Sequence, residues 1–94
     1  MRIVWTAPAL RDLAAARAYI ALDNPAAAVE QIEIVLSAVE GLLRFPLSAR
    51  PGRRAETREL VVPRTPFIVP YRVKGDAVEV LRVLDGRQRW PDVL

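Results

Sequence analysis

Apolar and polar residues recur along the chain with two different periods, which separate helical from extended segments. Arg2–Thr6 is short and rich in residues that favour β-structure, so we predict a strand there. Thr6 is a capping residue and Pro8 suits a first helical turn, so a helix is predicted to start at Ala7. This helix runs to about Leu22, and its expected buried stripe consists of Ala9, Leu13, Ala16 and Ile20.

The same start signal returns at Asn24-Pro25 and predicts a second helix that runs to about Arg44. Because only a very short loop separates the two helices, they are expected to form an antiparallel helical hairpin. The apolar residues of the second helix keep a three-and-four spacing, and they are Val29, Ile32, Val35, Leu36, Val39, Leu42 and Leu43.

Segment 45–57 changes character, because prolines, a glycine and several charged residues replace the apolar pattern. We predict a loop, and we expect its arginines to be solvated. These arginines are Arg50, Arg53 and Arg54.

Three extended runs follow, at Arg58–Val62, Phe67–Val73 and Ala77–Leu84. The tight-turn sequence Lys74-Gly75-Asp76 predicts that the last two form a β-hairpin. Pro70 has no backbone N–H, so the middle run lacks one hydrogen-bond donor at this position. Two possibilities stay open: this strand has a bulge at Pro70, or the proline nitrogen faces away from the neighbouring strand. The expected architecture is an α+β fold in the order β-α-α-β-β-β. Its helical hairpin packs on one face of a small antiparallel sheet, in a single domain over residues 1–94.

Composition excludes several chemistries. The 94 residues are 52% hydrophobic and 27% charged, a globular balance, and they include no cysteine and no histidine. Disulfides, Cys or His zinc sites, thiol nucleophiles and imidazole bases are therefore excluded. Ser37 and Ser48 have no histidine to activate them, so a serine nucleophile is not expected either. No cofactor is predicted.

Charge points to an anionic partner. The net charge is +3, Lys74 is the only lysine, and the basic excess lies in residues 51–94. Arginine makes planar forked hydrogen bonds, which favours phosphate or carboxylate groups. No apolar run approaches the roughly 18 residues of a membrane span, and charges at Arg11 and Asp12 come too early for a signal peptide. We expect a soluble cytoplasmic protein.

The aromatic residues divide into two groups. Trp5 and Tyr71 are expected in the core, with a hydrogen-bond partner for the tyrosine hydroxyl. Trp90 instead follows Arg87 and Arg89 just beyond the last strand. Two interpretations of this tail stay open: a frayed basic terminus with Trp90 packed back on the body of the protein, or a surface that binds an acidic or phosphate-bearing partner with an aromatic anchor.

Side chains of the last predicted strand, Ala77–Leu84, alternate between the two faces of the sheet, which adds residues to the binding surface of the second interpretation. Leu81 and Val83 are expected to cover the helices, which would turn Arg82 to the opposite face. Arg72 is then expected near it. The alternative is that Arg82 pairs with Glu59 or Glu79 and serves folding only. The predicted target-binding residues are Arg72, Arg82, Arg87, Arg89 and Trp90.

Several sequence blocks occur in an order typical of one family. They are Trp5-Thr6, Ala9, Asp12-Leu13, Tyr19-Ile20, Asn24-Pro25, Pro46, Thr57-Arg58-Glu59-Leu60, Val69-Pro70-Tyr71-Arg72-Val73 and the run from Val78 to Pro91. Together they resemble the ParE-like proteins of the RelE/ParE toxin superfamily of bacterial toxin–antitoxin systems. The resemblance covers nearly the whole chain, and it implies the RelE/ParE-like version of the fold above.

The resemblance implies one of two activities. RelE-type members are nucleases that cut messenger RNA on the ribosome with basic residues on the sheet and a tyrosine near the C-terminus. Here Leu60, Val62 and Phe67-Ile68 stand where basic groups are needed, and the chain ends without a tyrosine. Only Arg87 stands in a matching place. Arginine also serves poorly as the base or the acid of RNA cleavage.

ParE-type members lack that nuclease set. The resemblance therefore implies a non-enzymatic toxin that inhibits DNA gyrase by binding. A ParD-like or similar cognate antitoxin neutralises it in a toxin–antitoxin hetero-oligomer, and no sequence-specific nucleic-acid binding is expected. The alternatives are a ribosome-dependent mRNA endoribonuclease of RelE type and an inert or purely DNA-binding module.

Overall fold

The computed structural model describes residues 1–94, whose elements follow the predicted order with two short additions. The bounds are β1 (Arg2–Trp5), α1 (Ala7–Asp23), α2 (Pro25–Glu40), a 3-10 turn (Gly41–Leu43), β2 (Arg50–Pro51), β3 (Arg58–Val61), β4 (Phe67–Lys74), β5 (Ala77–Val80) and β6 (Leu84–Asp85). The two-residue strands β2 and β6 are the additions. Strand β2 lies inside the segment predicted as a loop.

Both helix starts are confirmed by their caps. The Thr6 hydroxyl accepts a hydrogen bond from the Ala9 N–H at 3.2 Å, and the Asn24 side chain accepts one from the Ala27 N–H at 3.0 Å. Helix α2 ends before the predicted Arg44, because the chain tightens into the 3-10 turn at Gly41, a residue with low helix propensity.

The sheet is mixed rather than antiparallel. Its strand order is β1-β5-β4-β3-β2, with β6 also pairing with β4. Strand β1 runs parallel to β5, from Arg2 opposite Ala77 to Trp5 opposite Val80, and every other pair is antiparallel. The prediction of a purely antiparallel sheet is therefore wrong for β1. Parallel pairing needs a long crossover, which the helical hairpin and the following strands supply.

The two helices cover one face of this sheet. Ala9 of the predicted stripe is buried, while Leu13, Ala16 and Ile20 are half-buried and pack against the core; Trp5 does the same from β1. The buried members of this main cluster are Ala9, Val35, Val39, Val62, Phe67, Val69, Val80 and Val83.

Tyr71 lies in a second, smaller cluster with Leu42 and Val78. Its side chain is fully buried, and its hydroxyl donates a hydrogen bond to the Pro46 carbonyl at 2.8 Å. The core position and the hydroxyl partner predicted for this tyrosine are both confirmed.

A bulge interrupts the last strand opposite Pro70. Val80 pairs with Tyr71 and Leu84 pairs with Ile68, so residues 81–83 face only residues 69–70. The N–H groups of residues 81 and 82 both donate to the Pro70 carbonyl, at 2.9 and 3.5 Å. In an antiparallel ladder the N–H and C=O of one residue point to the same neighbouring strand. The nitrogen of Pro70, which carries no hydrogen, therefore faces the bulge, where the regular ladder is interrupted. The bulge thus lies in the partner strand, and the strand predicted through Leu84 stops at Val80.

Candidate functional site

A groove of about 690 Å³ runs between α1 and the chain that follows the bulge. From α1 it is lined by Ala16, Tyr19 and Ile20 among others, and the opposite wall includes Arg89 and Trp90. The wall beyond β6 belongs to residues 86–94, which we call the C-terminal segment. The groove thus borders three of the predicted target-binding residues, which are Arg82, Arg89 and Trp90.

Arg82 forms a bidentate ion pair with Asp12 of α1. Its Nε and Nη2 donate to the two carboxylate oxygens at 2.6 and 2.9 Å, and the Val83 N–H donates to the same carboxylate at 3.0 Å. Both side chains are mostly buried. The hydrogen bond from Asp12 raises the pKa of Arg82 further above its usual range. Asp12 therefore joins α1 to the bulge.

This contact corrects the predicted direction of Arg82, which lies against α1 instead of on the opposite face. The extra residue at the bulge shifts the alternation of side chains by one position. Val83 still covers the core, as predicted, and shares the buried face with Val80. The alternative pairing of Arg82 with Glu59 or Glu79 is also wrong, because its partner is Asp12.

Arg72 lies on the other face of the sheet, away from Arg82. Tyr71 faces the helices, so its neighbour Arg72 projects from the opposite face. There its Nε donates to Glu79 at 2.7 Å, the residue directly across on β5. The expected proximity of Arg72 to Arg82 is wrong.

Arg87 is held at the start of the C-terminal segment by Asp85. Its Nε and Nη2 donate to the carboxylate at 3.1 and 2.8 Å, and its backbone N–H donates at 2.8 Å. This hydrogen bonding lowers the pKa of Asp85 and raises the pKa of Arg87. The Arg87 side chain is nonetheless 76% exposed, so one edge of its guanidinium remains open to a partner.

Arg89 and Trp90 differ in their surroundings. Arg89 is exposed and has no hydrogen bond or ion pair within the protein. Trp90 is half-buried, and the guanidinium carbon of Arg53 lies 3.5 Å from the centre of its ring. Trp90 therefore packs against the body of the protein, as the first interpretation of the tail expects, while Arg87 and Arg89 remain exposed.

The arginines of segment 45–57 are exposed, as predicted, but each of them also has a partner within the protein. Arg50 and Arg53 both contact Glu59, whose side chain is only 3% exposed. Arg54 donates to the carbonyls of Pro91 and Asp92 at 3.1 and 2.6 Å. Charge and composition could not reveal these partners, because the tail contacts join residues 37 and 38 positions apart.

Two titratable groups beside the groove have pKa values that are shifted away from neutrality. Hydrogen bonding to Asp12 raises the pKa of Arg82, and hydrogen bonding to Arg87 lowers the pKa of Asp85. A general acid or base works best with a pKa near the operating pH. The arrangement offers cationic and aromatic contacts instead.

Neither helix has the length and apolar character to cross a bilayer.

A family model covers most of the chain, and known toxins are similar to it. The family model of the ParE toxin of type II toxin–antitoxin system parDE matches residues 3–90. Y4kP, a predicted toxin of Sinorhizobium fredii, is 47% identical over 93 residues, which cover 99% of this chain and 96% of that protein. Toxin RelE2 of Caulobacter vibrioides is 35% identical over 82 residues, 87% of this chain and 91% of that one.

A solved structure supports the fold. The chromosomal ParDE toxin–antitoxin system from P. aeruginosa contains a chain that is 31% identical, with a TM-score of 0.79, over 88% of this chain and 92% of that chain. Sequence and three-dimensional structure therefore lead to the same assignment, and the protein belongs to the ParE family of toxins of type II toxin–antitoxin systems.

Proposed function

We propose that this toxin inhibits DNA gyrase by binding, without catalysis of its own, and that a cognate ParD-like antitoxin neutralises it. The observation that carries this proposal is the exposure of Arg87 and Arg89 beside a groove in a chain that has no histidine and no cysteine. Such a surface recognises a carboxylate or phosphate, and it does not supply the base and acid of RNA cleavage. Action on gyrase takes place in the cytoplasm.

The target-binding surface we propose centres on Arg87, Arg89 and Trp90. Arg89 is exposed without a partner and Arg87 is mostly exposed, so a target can reach both without breaking a buried contact. Arg72 and Arg82 also belong to the predicted set. Their guanidinium groups already contact Glu79 and Asp12, so we assign them a smaller share of target binding.

The antitoxin surface we propose is the outside of the helical hairpin. Large apolar side chains are exposed there, which favours a protein partner. They are Leu10 (51% exposed), Tyr19 (76%), Leu22 (81%), Val29 (49%) and Leu36 (39%). The similarity to a chain of a ParDE system supports a partner of this kind.

Two assays on the purified chain test the proposed target. One measures supercoiling of relaxed plasmid by gyrase, and the other measures cleavage of messenger RNA on translating ribosomes. We expect loss of supercoiling or trapped cleaved DNA, with the message intact. Site-specific message cleavage with gyrase unaffected would support the RelE-type nuclease instead. Binding to DNA alone, with both activities unchanged, would support the DNA-binding alternative.

A further inference from the structure

The C-terminal segment has almost no backbone support of its own. Its only hydrogen bonds between two backbone groups are from the Gly86 N–H to the Pro66 carbonyl and from the Gln88 N–H to the Asp85 carbonyl. No hydrogen bond between backbone groups involves residues 89–94. The indole N–H of Trp90 is buried without an acceptor, so no hydrogen bond orients the ring. Side chains from elsewhere must therefore hold this part of the segment.

Two neighbouring arginines of the loop after β2 make those contacts. The guanidinium of Arg53 lies over the Trp90 ring at 3.5 Å, and Arg54 donates to the carbonyls of Pro91 and Asp92. A cation stacked on an indole face is attracted by the negative charge of the ring face. These contacts fix the end of the segment immediately after Arg89.

The loop is itself held by the buried carboxylate of Glu59. This carboxylate accepts hydrogen bonds from the Arg53 N–H at 2.8 Å and from Arg50 Nη2 at 3.0 Å, and the Arg53 Nε lies 3.6 Å away. Thr57 closes the loop, with its hydroxyl donating to the Arg54 carbonyl at 2.7 Å. A buried carboxylate with several donors is costly to disturb, which gives the loop a fixed geometry.

We infer that Arg53 is a positioning residue for the toxic surface: anchored on Glu59, it holds Trp90 and thereby sets the place of the neighbouring Arg89, whereas Arg87 is held by Asp85. The inference rests on the proposed function of those residues. It assigns Arg53 no contact with the target. A surface that is ordered before binding loses less conformational freedom when it binds, so a loss of Arg53 weakens the toxin without removing any of its target contacts.

The test uses the two-tryptophan composition of the chain. In a Trp5→Phe background Trp90 is the only indole, and its emission and acrylamide quenching report its exposure. Arg53→Ala is expected to raise quenching and to lower the potency of gyrase inhibition by about threefold to tenfold, the range of a cation–π contact. Arg53→Lys keeps a cation above the ring and is expected to fall between wild type and Arg53→Ala in both measurements.

Arg50→Ala is the matched control, because it removes the other guanidinium on Glu59 and does not contact Trp90. It is expected to change quenching and potency less than Arg53→Ala does, because Arg53 keeps its own contacts with Glu59 and Trp90. Thermal melts accompany each variant. If Arg53→Ala does not fold, Arg54→Ala replaces it, since it removes the contacts to Pro91 and Asp92 and is expected to change both measurements in the same direction.

Two outcomes overturn the inference: unchanged quenching in Arg53→Ala, or increased quenching with full potency. An equal effect of Arg50→Ala also overturns it, since the effect would then come from the loop as a whole. Failure of the proposed function is a separate result, visible as full toxicity in a folded Arg87→Ala, Arg89→Ala variant or as no action on gyrase by the unmodified chain.

Discussion

Asp12 and Arg82 form a bidentate ion pair, with N–O distances of 2.6 and 2.9 Å, that joins the first helix to the bulge in the last strand. The same carboxylate accepts the Val83 N–H, a donor that the bulge removes from the regular ladder. One side chain therefore satisfies both a guanidinium and a displaced backbone group.

The first prediction concerns the stability that this pair provides. Asp12→Ala leaves Arg82 and the Val83 N–H without their acceptor in a mostly buried site, so the free energy of unfolding is expected to fall by about 2 kcal/mol or more. Urea denaturation of Asp12→Ala, Arg82→Ala and the double variant measures this loss. The double variant is expected to lose less than the sum of the two single losses. Additive losses would show that the pair is not energetically coupled.

The second prediction concerns toxicity. Replacing Arg87 and Arg89 by alanine is expected to abolish growth arrest on induction, because a desolvated interfacial arginine can contribute about 2 kcal/mol or more to binding. Both side chains are largely exposed, so the melting temperature and antitoxin binding are expected to stay nearly unchanged. Growth curves paired with a thermal melt measure the two effects.

The control for this variant removes the same number of charges elsewhere. Arg44 and Lys74 are exposed and have no ion pair. Lys74 is the last residue of β4, whereas β6 and the C-terminal segment lie beside the first residues of that strand. Alanine at both positions is expected to leave growth arrest intact. Loss of toxicity in this control too would indicate a general charge effect.

The third prediction separates the two tyrosines. Tyr71→Phe removes a buried hydroxyl that donates to the Pro46 carbonyl, and a loss of about 1 kcal/mol in unfolding free energy is expected. Tyr19→Phe is the control, because this side chain is 76% exposed, and no measurable change is expected. Urea denaturation at neutral pH compares the two. Equal effects would contradict the role assigned to the Pro46 contact.

Alkaline pH gives a second measurement for Tyr71. Burial raises the pKa of Tyr71 above its usual 10.0, so the neutral form is favoured in the folded state. The stabilisation from the neutral Tyr71 hydroxyl is complete below the pKa that this group has in the unfolded chain. It is lost as the pH rises through the higher pKa of the folded state. Above about pH 10 the wild type is therefore expected to lose more stability than Tyr71→Phe.

The fourth prediction concerns acid. Hydrogen bonding to Arg87 lowers the pKa of Asp85 below its usual 3.8, so this carboxylate stabilises the folded state above the unfolded pKa. That contribution is lost as the pH falls through the lower folded pKa. Unfolding free energies from pH 7 down to about pH 2 are expected to fall more steeply for the wild type than for Asp85→Asn. Parallel curves would contradict the assignment.

The fifth prediction concerns the antitoxin. If it covers the exposed apolar residues of the helical hairpin, hydrogen exchange is expected to slow in α1 and α2 when it binds. A specific complex of this kind buries more than about 1,000 Å² in total, so protection over both helices is expected. Protection confined to segment 45–57 would place the antitoxin elsewhere.

Local signals were sufficient for the elements themselves. The helix caps at Thr6 and Asn24 are formed within a few adjacent residues, and the turn at Lys74-Gly75-Asp76 is specified by three residues. A capping bond spans three residues, so its formation depends little on the rest of the chain. The element order, the helical hairpin and the burial of Tyr71 all follow from such patterns, and family resemblance added the toxin assignment.

Long-range partners decided the rest. The parallel pairing of β1 with β5 and the Arg82–Asp12 pair each join segments far apart in sequence, and the bulge opposite Pro70 depends on how two neighbouring strands pair. A single extra residue opposite Pro70 was enough to reverse the predicted face of Arg82, because side chains alternate with a period of two and strand composition does not reveal a bulge. The stack of Arg53 on Trp90 likewise exists only because the folded chain brings the loop and the tail together.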